Sequence, residues 1–230
     1  MVPEKRGNTI IVYFHGGNYA LGGIESHKGM VSYIAEKTAS TVAFVEYSLA
    51  PEYPFPIARN EGVNVYQQLL VQHPESDFIF MGDSAGGGLV VSSLHAILAR
   101  NIKLPKAVLL ISPWINLKCN TESYKTRQDL DLIKRQDLLD YAAFYIGKKE
   151  EFDPSELKFD IFPPTFILVG NNEILLDDAK NFYEYISAIQ KNTKIKVYKN
   201  QTHVWLLTDI NSHKSKEALV DIATFIQGGF

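Results

Sequence analysis

The sequence has a single cysteine, Cys119, among 230 residues. One cysteine cannot form a disulfide within the chain, which excludes a disulfide-stapled scaffold and is typical of a reducing compartment. No apolar run approaches the roughly 20 residues that a membrane-spanning helix needs. The opening segment MVPEKRGN also lacks the apolar core of a signal peptide. These absences predict a cytoplasmic protein that does not bind membranes.

Neither sign of charge is in large excess. Lysine and arginine number 23 against 26 aspartates and glutamates, which gives a formal net charge of −3. This balance provides no electrostatic reason to expect nucleic acid as a partner. The sequence also lacks a ligand cluster with metal-binding spacing, so we expect no metal and no organic cofactor.

What is present is typical of a globular domain. The apolar share is 46% and the charged share 21%, and a chain of this length fits one domain, residues 1–230. Short apolar runs predict strands that are buried on both faces, at 9–14, 41–47, 77–82, 106–112 and 165–170, with a weaker, alternating edge strand at 195–200. Helical patterns lie between them, at 27–39, 57–72, 85–100, 175–190 and 214–227. The alternation predicts an α/β fold with a mostly parallel sheet and helices on both faces.

One interval interrupts this alternation. Residues 113–160, here called the insertion, separate two predicted strands by more than an ordinary connection requires. It has a helical pattern near 134–146. We interpret it as a cap-like insertion over the carboxyl ends of the strands, where open α/β folds bind ligands. A domain boundary is the weaker alternative, because neither flank could form a complete sheet alone.

The stretch FIFMGDSAGGGLV, residues 78–90, places Ser84 directly after a predicted strand and before a helix. Glycine is costly inside regular structure, so the glycines around Ser84 need an explanation. An ordinary strand-to-helix loop is one interpretation. The other is a nucleophile elbow, in which Gly-x-Ser-x-Gly holds a serine on a strained turn at the end of a sheet.

A nucleophilic serine needs a base, and six histidines are candidates. The leading one is His203, which follows the last predicted strand and lies at the same end of the sheet as Ser84. The positions of the others indicate packing, solvated or helix-start roles; they include His27, His73, His95 and His213.

An acid should orient the histidine, and it is expected between the serine and the histidine along the chain. Glu173 comes three residues after the strand 165–170 and is the leading candidate. Asp177 is the alternative, although Asp177 and Asp178 are also explained by the first turn of a helix, where carboxylates are stabilised without any catalytic role. Spacing alone does not separate the two candidates further.

Backbone donors for a developing oxyanion are expected after the first strand. The segment HGGN supplies His15, Gly16, Gly17 and Asn18 at the same sheet end as Ser84. Paired glycines allow bare backbone N–H groups to approach a negatively charged oxygen.

Taken together, these segments resemble the hormone-sensitive lipase family of α/β hydrolases, in its bacterial carboxylesterase branch. Nearly the whole chain takes part in the resemblance. The matching segments are HGGN (15–18), YSLAPEYPFP (47–56), GDSAGG (82–87), SPW (112–114), NEILLDDA (172–179) and HVW (203–205).

The resemblance implies an α/β-hydrolase fold and a serine carboxylesterase acting on small-molecule esters. It implies Ser84 as nucleophile, Glu173 as acid and His203 as base. The implied oxyanion hole consists of the backbone N–H groups of Gly17, Asn18 and Ala85, with Gly16 shaping the turn.

This sequence departs from the family pattern at three points. Asn18 replaces a glycine, and Glu173 stands where the family usually has aspartate. Only eight residues precede the first predicted strand, so the resemblance implies that about two strands and the N-terminal cap helices are missing. We therefore expect a thin roof, a preference for short acyl chains, and an acyl pocket built from the insertion with Tyr19, Trp114 and Trp205.

The missing strands would leave the strand 41–47 at the edge of the sheet. Unpaired, apolar strand edges invite pairing with another chain. We therefore expect residues 1–8 or a neighbouring molecule to cover this edge, with a homodimer as the preferred form, or else a marginally stable, aggregation-prone protein. The edge at 195–200 is the alternative dimer surface. A non-catalytic binding protein or an inactive relative on the same fold stays open, as do other acyl substrates such as amides and lactones.

Overall fold

The computed structural model describes residues 1–4, 7–147 and 151–228. Within these ranges six strands are found: β1 Thr9–Phe14, β2 Thr41–Val45, β3 Asp77–Asp83, β4 Ala107–Ile111, β5 Thr165–Gly170 and β6 Thr193–Tyr198. They form one sheet in the order β2-β1-β3-β4-β5-β6, and every neighbouring pair is parallel. The carboxyl ends of all these strands therefore lie along the same side of the sheet.

Helices connect the strands as the alternating pattern predicts. They are α1 Ile24–Thr38, α2 Ile57–Gln72, α3 Ala85–Ala99, α4 Ser123–Thr126, α5 Arg135–Ile146, α6 Leu176–Ile189, α7 Trp205–Thr208 and α8 His213–Gln227, with a 3₁₀ turn at Pro154–Glu156. The short helices α4 and α7 were not predicted, since a single turn carries no periodic signal. Among the helices in the described ranges, none combines the length and apolar character needed to cross a bilayer.

Helices cover both faces of the sheet, as predicted. Along β1, Val12 and Phe14 point into a core shared with α2, α3 and α6, whereas Ile11 and Tyr13 point into a core shared with α1 and α8. Side chains of a strand alternate between its two faces, and here both faces are buried. This explains why the predicted central strands read as continuous apolar runs rather than alternating ones.

The two edge strands differ slightly from their predicted bounds. The strand at 41–47 ends at Val45, and the next residue, Glu46, accepts a hydrogen bond from the Ile24 amide at the start of α1 (2.7 Å). Tyr47 leaves the sheet as well and stacks on His15, with ring centroids 4.1 Å apart. At the opposite edge, β6 spans 193–198 rather than 195–200. Its place at the end of the strand order confirms it as an edge strand.

The N-terminal residues contact the exposed side of β2. The Val42 amide donates to the carbonyl of Met1 (2.8 Å), and the Met1 nitrogen donates to the Val42 carbonyl (2.6 Å). Part of the predicted cover by residues 1–8 is therefore present at this point, while positions 5 and 6 lie outside the described residues. The homodimer through this edge stays a prediction.

The insertion begins just after β4 and ends just before β5. It carries α4, then α5, and then the 3₁₀ turn. The predicted helix at 134–146 corresponds to α5, and residues 148–150 lie outside the described ranges. Several buried side chains of this segment, among them Leu138 and Tyr145, join the core that includes α2, α3 and α6.

Candidate active site

Ser84 occupies a strained turn between β3 and α3. Its backbone angles are φ 51° and ψ −122°, and a positive φ is uncommon for a residue with a side chain. Three backbone hydrogen bonds stabilise the turn. The Ser84 amide donates to Ile111 (3.0 Å), and its carbonyl accepts from Gly87 and Trp114 (both 2.9 Å). This is the strand–turn–helix geometry expected of a nucleophile elbow.

Close backbone packing explains the glycines on either side of Ser84. A Cβ atom at Gly82 would lie 2.5 Å from the carbonyl oxygen of Gly86, and one at Gly86 would lie 2.0 Å from the carbonyl oxygen of Phe14. Any larger residue would force β1, β3 and α3 apart. The glycines therefore follow from the elbow and do not fit an ordinary loop.

His203 lies beside Ser84, although 119 residues separate them in sequence. The histidine follows β6, and its Nε2 atom is 2.9 Å from the Ser84 Oγ atom. The two side chains meet because each follows the carboxyl end of a parallel strand. The distance is within the hydrogen-bond reach that a general base requires.

Glu173 lies on the other side of the imidazole. Its Oε2 atom is 3.3 Å from the His203 Nδ1 atom, and its side chain is fully buried. The second carboxylate oxygen, Oε1, accepts hydrogen bonds from the Ser112 hydroxyl (2.7 Å) and from the Gly170 amide. These bonds orient the carboxylate so that its free oxygen faces the ring.

The environment of His203 favours its protonated form. Burial by itself lowers the pKa of His203, but the hydrogen bond and the negative charge of Glu173 raise it, with further contributions from Asp131 and Asp83. The balance raises the pKa of His203 above its ordinary value. The imidazolium that forms when the histidine takes a proton is therefore stabilised.

The structure places the alternative candidates away from the Ser84–His203 pair. Asp177, in the first turn of α6, accepts a hydrogen bond from the Ser123 amide (2.7 Å). His73 is exposed after α2, and His95 packs edge-on against Phe159. His213 is the first residue of α8.

His27 is buried and forms part of a polar network behind Ser84. Its Nε2 atom lies 3.4 Å from Asp83 Oδ2, while Asp83 Oδ1 accepts from the Gly16 amide (3.0 Å) and from the Tyr13 hydroxyl (2.6 Å). Burial raises the pKa of Asp83, but the hydrogen bond and the charge of His27, together with the Tyr13 hydrogen bond and a smaller contribution from His15, outweigh it, and the pKa is lowered. A charged Asp83 thus fixes the start of the loop after β1.

The loop after β1 contains the predicted oxyanion donors. Gly16 lies so close to the elbow that a Cβ atom there would fall 2.3 Å from Asp83 Oδ2. Gly17 and Asn18 have φ angles of 115° and 56° and contact the cavity beside Ser84. Asparagine tolerates positive φ better than most residues, which is compatible with its place where the resemblance expects glycine. Ala85, the fourth predicted member, is the buried first residue of α3.

A cavity of about 300 Å³ opens onto Ser84. Its polar side is formed by the elbow, the loop after β1 and His203. Its apolar contacts come from different elements of the chain, namely Leu21, Ile133, Val204 and Leu207.

The aromatic residues predicted to form the acyl pocket lie elsewhere, which corrects that expectation. Tyr19 has φ 62°, and its ring turns back under the loop to stack on Tyr145 (3.8 Å between centroids) and to contact Trp114. Trp114 is fully buried. Trp205 packs on Tyr198 in the core on the opposite side of the sheet. The insertion residue that lines the cavity is instead Ile133.

Two residues near the site were not assigned a role from the sequence. Asp83 stands directly before Ser84 in the GDSAGG segment, where nothing in the sequence indicates its contact with His27. Ser112, in the SPW segment, donates to Glu173 and accepts from the Val204 amide (3.2 Å). It therefore connects the acid with the residue after His203. The sequence signals were the place of Ser112 in the SPW segment and at the end of the predicted strand 106–112.

Comparison with known proteins decides the family. Residues 11–207 match the α/β-hydrolase fold family. A crystal structure of an esterase from the bacterial hormone-sensitive lipase family is 32% identical, with a TM-score of 0.92, over 97% of this chain and 77% of that one. The chain belongs to the hormone-sensitive lipase family of α/β hydrolases. The family and fold predicted from the motifs are thereby confirmed.

Curated relatives of this hormone-sensitive lipase family member carry related names. An esterase of Acinetobacter venetianus is 32% identical over 96% of this chain and 76% of its own length. An acetyl-hydrolase of Streptomyces hygroscopicus is 34% identical over 88% of this chain and 70% of its own length.

Proposed function

We propose that this protein is a serine carboxylesterase in which Ser84, His203 and Glu173 hydrolyse small-molecule carboxylic esters. The observation that carries the proposal is the 2.9 Å contact between Ser84 Oγ and His203 Nε2, with the buried Glu173 behind the ring. The names of the relatives, esterase and acetyl-hydrolase, support an ester as the substrate class.

In the first half of the reaction, Ser84 Oγ attacks the carbonyl carbon of the ester while His203 Nε2 takes the hydroxyl proton. Glu173 accepts a hydrogen bond from the Nδ1–H group of His203 and so stabilises the imidazolium. The tetrahedral intermediate then collapses, the C–O bond to the alcohol breaks, and His203 returns the proton to the leaving alcohol. An acyl-enzyme on Ser84 remains.

In the second half, water replaces the alcohol. His203 takes one proton from the water as its oxygen attacks the acyl carbonyl, and it gives that proton to Ser84 as the acid leaves. One ester and one water thus yield one acid and one alcohol, and the resting enzyme is restored.

Charge on the carbonyl oxygen develops twice in this cycle. The amides of Gly17, Asn18 and Ala85 are proposed to donate to it, and each such donor lowers the barrier by roughly 3–4 kcal/mol in a serine protease example. The position of the first two residues on the cavity, and of the third at the start of α3, supports this assignment.

A fluorophosphonate probe tests the proposal directly. Because the probe reacts only with an activated serine, we expect one adduct per wild-type chain, located on Ser84 by mass spectrometry. Ser84→Ala should abolish labelling. Ser93→Ala, which removes another buried serine hydroxyl from α3, should leave it unchanged. A folded wild type that takes up no probe would favour the competing interpretation of a non-catalytic binding protein or inactive relative.

The size of the cavity limits the length of acyl chain that the site can bury. About 300 Å³ is available beside Ser84, and its apolar contacts are few. Each buried methylene adds about 0.8 kcal/mol only while apolar wall remains to receive it. In a series of p-nitrophenyl esters we therefore expect kcat/KM to be highest between acetyl and butyryl. An optimum at ten carbons or more would contradict the short-chain assignment.

A further inference from the structure

Asp131, in the insertion, contacts both loops that carry the partners of Ser84. Its Oδ1 atom accepts a hydrogen bond from the amide of His203 (2.8 Å), and its Oδ2 atom accepts one from the amide of Ile174, the residue after Glu173 (2.8 Å). The residue is buried, with 7% of its surface exposed. One carboxylate thus connects chain segments that lie 43 and 72 residues away in sequence.

Neighbouring hydrogen bonds reinforce this connection. Asp131 Oδ1 also accepts from the amide of Leu132 (2.8 Å), so the carboxylate receives three backbone N–H groups in all. The carbonyl of the same Ile174 accepts from the Ser123 hydroxyl (2.6 Å). Both backbone polar groups of the residue beside Glu173 are therefore bonded to side chains of the insertion.

We propose that Asp131 is a positioning residue, which sets the relative placement of His203 and Glu173 by bridging the backbones of their two loops. The proposal rests on the function proposed above. Asp131 does not touch the reacting atoms, since it acts on the backbone of His203 while the ring faces Ser84 and Glu173. Ile133, which lines the cavity, is two residues after Asp131 in sequence. The same carboxylate therefore holds both the backbone of His203 and the part of the insertion that contacts the cavity.

An amide cannot replace this carboxylate. Three N–H donors require acceptors on both oxygens, and the substitution Asp131→Asn would present a side-chain N–H₂ group to one of them. A donor facing a buried donor is unsatisfied, so one loop must shift. A misplacement of about 1 Å is enough to cost about 100-fold in rate, and the Nδ1–Glu173 contact of 3.3 Å is already at the long end of hydrogen-bond distances.

The carboxylate also acts on the charge of the ring. The acidic groups that raise the pKa of His203 are Glu173 from the loop after β5, Asp131 from the insertion and Asp83 from the end of β3. Asp83 is itself paired with His27 of α1. Removing the charge of Asp131 lowers the pKa of His203, and the base then becomes neutral at lower pH. The acidic limb of the pH profile should move in the same direction.

The test compares wild type, Asp131→Asn and the matched control Asp153→Asn in hydrolysis of p-nitrophenyl acetate across pH. Asp153 is a buried carboxylate of the same insertion that accepts from the amide and hydroxyl of Ser155. We expect Asp131→Asn to lower kcat about 10- to 100-fold with little change in KM and to shift the acidic limb of kcat/KM to lower pH. The control Asp153→Asn should have the same kcat and the same acidic limb of the pH profile as wild type.

Two results with a folded Asp131→Asn variant would overturn the proposal. Wild-type kcat in Asp131→Asn would show that the bridge is dispensable, and a fall in kcat with an unmoved limb would show general structural damage. If circular dichroism finds Asp131→Asn unfolded, the variant Asp131→Glu replaces it. Glutamate keeps the charge but displaces the carboxylate, so we expect a lower kcat and an unchanged acidic limb of the pH profile. Wild-type kcat in Asp131→Glu would contradict the bridge. A wild type without esterase activity would refute the proposed function itself, which is a different result from an active wild type with an unaffected variant.

Discussion

Ser84→Ala and His203→Ala should each lower kcat for ester hydrolysis by about three orders of magnitude or more. The two side chains act as a unit, because the imidazole that must remove the hydroxyl proton lies 2.9 Å from the serine oxygen. Loss of either member therefore removes most of the effect of both. The expected residual rate is that supplied by binding and by the backbone donors alone.

The measurement is kcat with p-nitrophenyl acetate for both variants and for the double variant. Because the members act together, the double variant should be hardly slower than either single one. Ser93→Ala and His73→Ala, which make the same substitutions at a buried and at an exposed position away from the cavity, serve as controls with wild-type rates. A single variant that keeps more than about a tenth of the wild-type kcat would refute its assignment.

Glu173→Gln is expected to lower kcat by about three to four orders of magnitude. The corresponding change from acid to amide in a serine protease costs about 10⁴-fold through the wrong histidine tautomer. Here Ser112 and Gly170 both donate hydrogen bonds to Oε1. The side-chain oxygen of the introduced glutamine would therefore occupy the Oε1 position. The N–H₂ group then faces His203 Nδ1 and leaves the proton on Nε2, where it blocks removal of the Ser84 proton.

Asp177→Asn is the matched comparison for this variant. Asp177 is the other acid that the sequence allowed, and it contacts Ser123 rather than His203. We expect a reduction in kcat of less than about tenfold. If Asp177→Asn proves the more damaging of the two, Glu173 is not the acid.

Features that depend on local pattern could be predicted from the sequence. The strands, the strained turn at Ser84 and the loop after the last strand each leave a signal within about ten residues, and the parallel topology then brings Ser84, Glu173 and His203 to one end of the sheet. The acid was the harder choice, since Glu173 and Asp177 are only four residues apart in sequence. Only the buried contacts of Glu173 distinguish them.

Other features required knowledge of long-range contacts. Nothing near Asp131 in the sequence indicates that its carboxylate meets the amide of His203, 72 residues later. The direction of the Tyr19 ring depends on the left-handed backbone at Asn18 and Tyr19, which sequence pattern does not specify. For this reason aromatic residues beside a motif were a poor guide to the cavity wall.

The strand order also determines how the site can form during synthesis on the ribosome. After the first three strands have emerged, β4, β5 and β6 each pair with the strand made just before, so the sheet can grow outward in one direction as the chain lengthens. Ser84 and the loop after β1 belong to the earliest part, whereas Glu173 and His203 follow the last two strands. The insertion emerges in between, so Asp131 is present before the amides of Ile174 and His203 that it binds. In chain order Ser84 therefore precedes its neighbouring base by three strands, and the serine gains that base only after β6 has joined the sheet.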